Sequence, residues 1–350
     1  MTIALVTGCD GLVGSATAEH LHSLGYQIIG IENNSRATYF GSGGTTSIRR
    51  GPAAGPSIYL RRFDVDIRDT ESIKTIFSTY GKEISAVVHT AAQPSHEWAT
   101  HNRRIDWDVN ATATYSLLDA TIEYSPAASF IFCSTNKVYG DRVNELPLVL
   151  QDTRLDLPAN HEYFAGIPES FSIDATTHSF FGVSKLAADV MVQEFGRYFG
   201  LSTAVFRCGC ITGKAHAAVE AHGFMAYLAK CVREGVPYRV IGHAGKQVRD
   251  NIHASDLARA FGEYLRNPKP GKVFNMGGGR ENSISVIEAV QKFEILTGNE
   301  AVLDQSSLER PRKGDHRWWI SSSERFQCDY PAWGISMSID DIAEDLLSVY

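Results

Sequence analysis

Ile3-Ala4-Leu5-Val6-Thr7-Gly8-Cys9-Asp10-Gly11-Leu12-Val13-Gly14 is the stretch on which the fold turns. Ile3 to Thr7 is a short apolar run that predicts a strand, and the glycines behind it are spaced GxxGxxG. From Val13 to Leu24, Ala16, Ala18, Leu21 and Leu24 recur close to helical spacing. Glycines at a strand-to-helix turn let the backbone approach a pyrophosphate, and the helix start supplies unpaired N–H groups and a positive dipole end. Gly8, Gly11, Leu12, Val13 and Gly14 are therefore the expected seat of a dinucleotide. Gln27 to Ile31 predicts a second strand that ends at Glu32, eighteen residues after Gly14. A carboxylate there can accept from the adenosine ribose hydroxyls and would repel a 2′-phosphate. Glu32, with Asn33 beside it, thus favours NAD over NADP. Arg36 is near enough to accommodate the extra phosphate and blunts that preference. The competing reading is a glycine-rich turn in some other doubly wound fold.

Outward from this turn, strand and helix signals alternate. Strands are expected at Ile58 to Asp64, Ala86 to Thr90 and Ser129 to Ser134, with helices at Thr70 to Tyr80 and Asp106 to Glu123 between them. Such alternation implies a parallel sheet covered on both faces. Residues 36–57 read as a flexible insertion, and Leu146 to Thr177 as a long irregular loop, usually functional or disordered. A helix from Gly182 to about Phe199 and a strand at Thr203 to Arg207 follow. The expected class is α/β: a Rossmann-type doubly wound parallel sheet with a smaller α/β substrate lobe. The sheet domain is expected over 1–207 and 236–264, and the lobe over 208–235 and 265–350. The stretch from Arg249 to Leu265 is expected to pack back on the first domain.

A net charge of −7 argues against a general nucleic-acid or membrane binder. No segment reaches the roughly 18 apolar residues of a membrane helix, and the N-terminus lacks the basic region of a signal peptide. The cysteines are scattered, without CxxC, so no metal site is expected. They read as reduced thiols of a cytoplasmic protein. Asp66-Ile67 either holds an adenine ring or caps its strand. Thr90, Ala91 and Ala92, in His89-Thr90-Ala91-Ala92-Gln93 at the carboxyl edge of the sheet, either leave room for a cofactor or avoid a clash.

Further motifs follow in order: Asn110 in DVNAT, Ser134-Thr135-Asn136-Lys137-Val138-Tyr139-Gly140, Ser184-Lys185, GKQVRDNIHASD from Gly245 to Asp256, FNMG from Phe274 to Gly277, and Arg312-Lys313-Gly314-Asp315. With the glycine turn and HTAAQ, this order resembles the extended short-chain dehydrogenase/reductase family of nucleotide-sugar epimerases and dehydratases. STNKVYG and GKQVRD resemble most its CDP-paratose (CDP-tyvelose) 2-epimerase branch. The resemblance implies bound NAD, a transient oxidation of a sugar carbon and return of hydride to the other face. It places Asn110 and Lys185 on the cofactor and Thr135 on the reacting sugar oxygen. Asn136, His178, Gln247, Arg249, Arg312 and Asp315 fall on the nucleotide sugar. Arg249 and Arg312 would grip the diphosphate and Asp315 the nucleoside ribose. A CDP-sugar is the favoured substrate and a UDP-sugar the other. A homodimer through the helices at 106–123 and 182–199 is the family expectation, although both faces could equally pack on the sheet.

Each role has a plainer alternative. Thr135 could be an N-cap and Lys185 a solvated charge. Arg312 could pair with Asp315, and Arg249 with Asp250. His178 could be a structural loop residue. Lys246 is a weaker sugar or base contact and Lys214 a weak phosphate contact, while Trp318 and Trp319 read as core.

The sequence departs from the family at two places. The family motif YxxxK has its lysine at Lys185, but Phe181 stands where the tyrosine belongs. Phenylalanine carries no proton, so it cannot be the base. Three readings stay open: Tyr163, His178, Thr135 or a water substitutes; the residue is a deliberate tyrosine-to-phenylalanine variant; or the protein binds a nucleotide sugar with little turnover. At the second place, Asn136-Lys137 replaces the Asp-Glu pair of the dehydratases. That disfavours water loss. Decarboxylases carry a glutamate where Lys137 stands, which disfavours decarboxylation too. An epimerase at C4 and a net oxidoreductase remain as alternatives to an epimerase at C2.

Overall fold

The computed structural model describes residues 2–46, 57–312 and 314–350. Seven strands form the main sheet: β1 (Ile3–Thr7), β2 (Gln27–Ile31), β3 (Tyr59–Phe63), β4 (Ile84–His89), β5 (Ser129–Thr135), β6 (Ser202–Cys208) and β7 (Lys272–Met276). Their spatial order is β7-β6-β5-β4-β1-β2-β3, and every pairing is parallel. The order reverses between β1 and β4, which opens a crevice at their carboxyl ends.

β1 reads as five buried residues in a row because both faces are covered. On one face the helices α2 (Thr70–Tyr80), α3 (Ala113–Tyr124) and α4 (Phe180–Arg197) pack around Leu5, Ile29, Val87, Phe130 and Val205. On the other, α1 (Leu12–Ser23) and α5 (Ala254–Arg266) pack around Val6, Val88, Phe206 and Phe274. α5 lies directly on α1: a Cβ on Gly262 would stand 2.6 Å from His20 Nε2. This is the expected return to the first domain for 254–265, whereas Arg249 to His253 lies in the second sheet.

The lobe is built on a second, smaller sheet in which Val248–His253 is central. It pairs with Cys210–Thr212, Ser283–Ser285 and Trp318–Trp319. Helices Phe224–Glu234, Val286–Thr297 and Ile339–Leu347 enclose a separate apolar core. The division differs from expectation at two strands: Val248–His253, expected in the sheet domain with the rest of 236–264, is the central strand of the lobe, and β7 is displaced the other way. β7 lies inside 265–350, yet it forms the edge of the main sheet against β6. Its side chains Phe274 and Met276 are fully buried there and belong to the core of that sheet.

Three local expectations change. Residues 36–57 contain a short helix at Ser35–Phe40 and a 3-10 turn at Ser42–Gly44, and 47–56 lie outside the described residues. The 106–123 helix is Arg103–Trp107, a π turn at Asp108–Thr112, and α3. The 146–177 loop is ordered. Leu157, Ile167 and Phe171 are buried with Trp318 and Trp319, and Asp156 is held by Arg280 through bonds of 2.9 and 3.0 Å.

One buried carboxylate ties the substrate-facing half of the sheet together. Asp189 of α4 accepts from Ser134 Oγ at 2.7 Å, Gln193 Nε2 at 2.7 Å, and Arg207 Nε and Nη2 at 3.0 and 2.9 Å. Arg207 reaches on to Tyr139 Oη, which donates to Asn275 of β7. Removing one partner leaves the other charge buried and unpaired. Asp189→Ala is therefore expected to lower the unfolding free energy by about 3–5 kcal/mol in chemical denaturation. A loss below about 1 kcal/mol would show that the pair does not hold the sheet.

Candidate active site

The site begins at the β1–α1 turn. Gly8 has φ +68° and donates its N–H to Ile31 O at 2.8 Å, which pins the turn to the end of β2. A Cβ on Gly14 would stand 2.1 Å from the Gly8 carbonyl oxygen, and one on Gly8 would stand 2.9 Å from the Ala91 backbone. No side chain caps α1, so its first N–H groups are left to a ligand. Gly8, Gly11, Leu12, Val13 and Gly14 all line one long cleft. A side-chain-free turn against an uncapped helix start fits the pyrophosphate of NAD.

Glu32 lines the same cleft and accepts from the N–H groups of Asn33 at 3.0 Å and Asn34 at 2.7 Å. Burial pushes its carboxyl above the usual range despite these bonds. Asn33 donates to Asp66 at 2.9 Å. Asp66 lines the cleft with Ile67 but is also gripped by Arg68 Nε and Nη2 at 3.0 and 2.7 Å. Burial alone would raise the Asp66 carboxyl; the bonds from Arg68 hold it below its ordinary value. Arg36 donates to Ala217 O at 2.9 Å and lies over the Phe40 ring. Thr90, Ala91 and Ala92 line the cleft where β4 ends, held by Thr90 Oγ1 to Thr7 O at 2.7 Å.

Asn110 does not line the cleft. From the π turn its amide bonds Gln93 N and O at 3.0 Å each, Asp106 at 3.1 Å and Ser184 at 3.2 Å. It fastens the segment after β4 to α4.

Further along, Thr135 and Asn136 at the end of β5, and Phe181 and Lys185 on α4, face the same cleft. Thr135 accepts from Lys137 N at 3.2 Å, so the hydroxyl is an N-cap and a cleft residue at once. Lys185 is buried and donates to Cys133 O at 2.8 Å, with its ammonium 4.1 Å from the centre of the Phe132 ring. Burial lowers its pKa. It is not a solvated charge. Phe181 is buried, and its ring packs on His96.

The far end is lined by Gln247, Arg249, Arg312 and Asp315. Arg249 pairs with Asp315 at 2.6 Å, not with Asp250, and Lys137 approaches the same carboxylate at 3.5 Å. Burial alone would raise Asp315; Arg249 and Lys137 outweigh it and hold the carboxyl well below the usual range. Arg312 is directed to Glu220 O at 3.1 Å and makes no pair with Asp315. Gln247 donates to Ile241 O at 3.0 Å.

Other candidates fall outside the cleft. His178 bonds Val138 O at 2.8 Å, and Tyr163 packs on Phe171 at 5.4 Å between ring centroids. Neither is among the lining residues. Lys246 bonds Gln151 O and Lys214 approaches Asp345, both away from the cleft. Trp318 and Trp319 are fully buried in the lobe. Among the cleft residues that the sequence reading did not assign to a ligand are Lys137 and His96. The signal for His96 was its place, three residues past the segment His89 to Gln93 at the carboxyl end of β4 and just after Ser95, which caps a helix.

The NAD dependent epimerase/dehydratase family model matches residues 4–277. The chain is 30% identical to the CDP-paratose 2-epimerase of Salmonella typhi, over 92% of this chain and 91% of that protein. It is 26% identical to the UDP-glucuronate 4-epimerase of Thermodesulfobacterium geofontis, over 85% and 81%. Its fold matches that of the Thermus thermophilus UDP-glucose 4-epimerase in complex with NAD, with a TM-score of 0.78 and 21% identity over 99% and 98% of the two chains.

Loss of a hydrogen bond to a charged group costs about 1.5–3 kcal/mol. Glu32→Ala is accordingly expected to weaken NAD binding ~10-fold or more, read by calorimetry on protein stripped of bound nucleotide. An unchanged Kd would mean that Glu32 does not touch the dinucleotide.

Proposed function

This chain belongs to the NAD dependent epimerase/dehydratase family, and on that premise we propose that it epimerises C2 of a CDP-linked hexose. One observation carries the reading. The glycine turn and the Arg249–Asp315 pair are walls of a single continuous cleft that also holds Thr135 and Lys185. A dinucleotide and a nucleotide sugar can therefore lie end to end with their reactive parts meeting. The choice of CDP and C2 rests on the similarity to the Salmonella typhi 2-epimerase.

When bound, NAD supplies the acceptor and then the donor of the hydride. Gly8 to Gly14 hold its phosphates and Glu32 its adenosine ribose. Lys185, fixed on Cys133 O, holds the nicotinamide ribose and keeps positive charge beside the reacting hydroxyl. Thr135 donates to the sugar oxygen as charge builds on it. Arg249 and Arg312 clamp the diphosphate, and Asp315 takes the nucleoside ribose. Asn136 and Lys137 provide no paired carboxylates, so dehydration has no acid–base pair. Tyr115 on α3 and Val183 and Val190 on α4 are exposed and offer the apolar face of a homodimer.

Phe181 favours a second reading, a protein that binds NAD and a nucleotide sugar without turnover. One experiment separates the two. CDP- and UDP-hexoses are incubated with the protein, without added cofactor, in ordinary and deuterated water, and the sugars are followed by NMR. The expected result is inversion at C2 with no deuterium at that carbon. Inversion at C4 would move the reaction to another carbon. Conversion only with added NAD, with NADH accumulating, would make it a net oxidoreductase. Binding without conversion of any sugar would establish the second reading.

A further inference from the structure

Oxidising a sugar hydroxyl releases a proton as well as a hydride, and Phe181 can receive neither. The ring packed against Phe181 is that of His96, with centroids 4.8 Å apart at 57°. His96 opens the helix His96–His101, positioned by Ser95, which caps Trp98 N at 3.2 Å. It lines the cleft together with Thr135, Lys137 and Lys185. Neither of its ring nitrogens hydrogen-bonds within the described residues. Nδ1 is enclosed without a partner, which leaves Nε2 to meet a ligand.

Other histidines here are tethered. His89 is held between Thr7 and Thr114 at 2.7 and 2.9 Å, His178 bonds Val138 O, and His253 lies between Ser255 and Asp345. No hydrogen bond among the described residues fixes the tautomer of His96.

We propose that His96 is the catalytic acid–base residue in place of the absent phenol. The inference rests on the epimerase reading above. His96 Nε2 accepts the proton of the reacting hydroxyl while the carbon-bound hydrogen departs with its electron pair to oxidised NAD. The O–H electron pair becomes the second bond of the carbonyl. On return, His96 gives that proton back to the oxygen as hydride re-enters from the opposite face. Protons and electrons balance over the cycle.

The surroundings of His96 add a condition. Burial and Lys137, with Arg312 and Arg249, push its pKa down to about 3, against the opposing pull of Asp315. His222 is the other titratable group that faces it. Such an imidazole is a poor proton acceptor in the ligand-free cleft. A diphosphate at Arg249 and Arg312 brings two negative charges that offset these cations and raise the proton affinity of His96. The substrate's own phosphates thus make the base competent.

His96→Gln tests this on two readouts. The first is turnover on the hexose panel: acid–base catalysis is worth about 10²–10⁴-fold, so kcat is expected to fall ~100-fold or more, with NAD content and CDP affinity unchanged. If the wild type turns over and His96→Gln stays within about threefold, His96 is not the base. If the wild type converts nothing, the epimerase reading fails and takes this one with it. The second readout needs no turnover. The variant assigns the His96 signal in imidazole NMR spectra of 15N-histidine-labelled protein, which is then titrated with and without saturating CDP. Protonation is expected to move to higher pH with CDP. A midpoint that CDP leaves in place would overturn the proposal.

Discussion

The Gly8 carbonyl and the Gly14 α-carbon approach so closely that no methyl group fits between them. That contact sets the angle at which β1 passes into α1, and the rest of the site depends on it. It lays the helix start beside the carboxyl ends of β1 and β4, where the strand order reverses. It also brings Gly8 within bonding distance of Ile31, so that Glu32 leaves β2 on the side of the same opening. Around this turn the chain has little freedom. Along the rest of the cleft the constraints are electrostatic: Asp315 gathers Arg249 and Lys137, and Lys185 is taken out of solvent and fixed on a carbonyl.

The sheet was legible because its signals are local. β1 to β6 are apolar runs between helical periodicities, and their boundaries match within a residue or two. The glycine turn and Glu32 were legible for the same reason. β7 was not, since Lys272 to Met276, although as long as β1, stands in the chain among the elements of the lobe. Only its partner β6 decides which sheet it joins, and pairing is not local. The π turn also escaped, because Asp108 to Thr112 has helical composition, and the extra residue shows only in the backbone.

Site residues divide on similar lines. Those carried on turns and strand ends, such as Gly11, Thr90, Thr135 and Arg249, reach the cleft as expected. Asn110 and His178 do not, because nearby backbone groups use their polar atoms first. A side chain's neighbours in space decide whether it is available, and spacing along the chain cannot report them. His96 is the converse case: unremarkable in sequence, it becomes notable only because Phe181 lies against it and nothing else claims its nitrogens.

The position of β7 has a consequence for biogenesis. Between β6 and β7, over residues 209–271, the chain makes the first part of the lobe, with its helix Phe224–Glu234 and its central strand Val248–His253, and then α5 of the sheet domain; the other two lobe helices follow β7. Until residue 276 has left the ribosome, β6, whose apolar side chains point to both faces of the sheet, is an open edge with unsatisfied backbone groups, the kind of surface that invites mispairing. The sheet therefore cannot close before the first part of the lobe has been made. The two halves are interleaved along the chain, although the sheet looks like a self-sufficient unit.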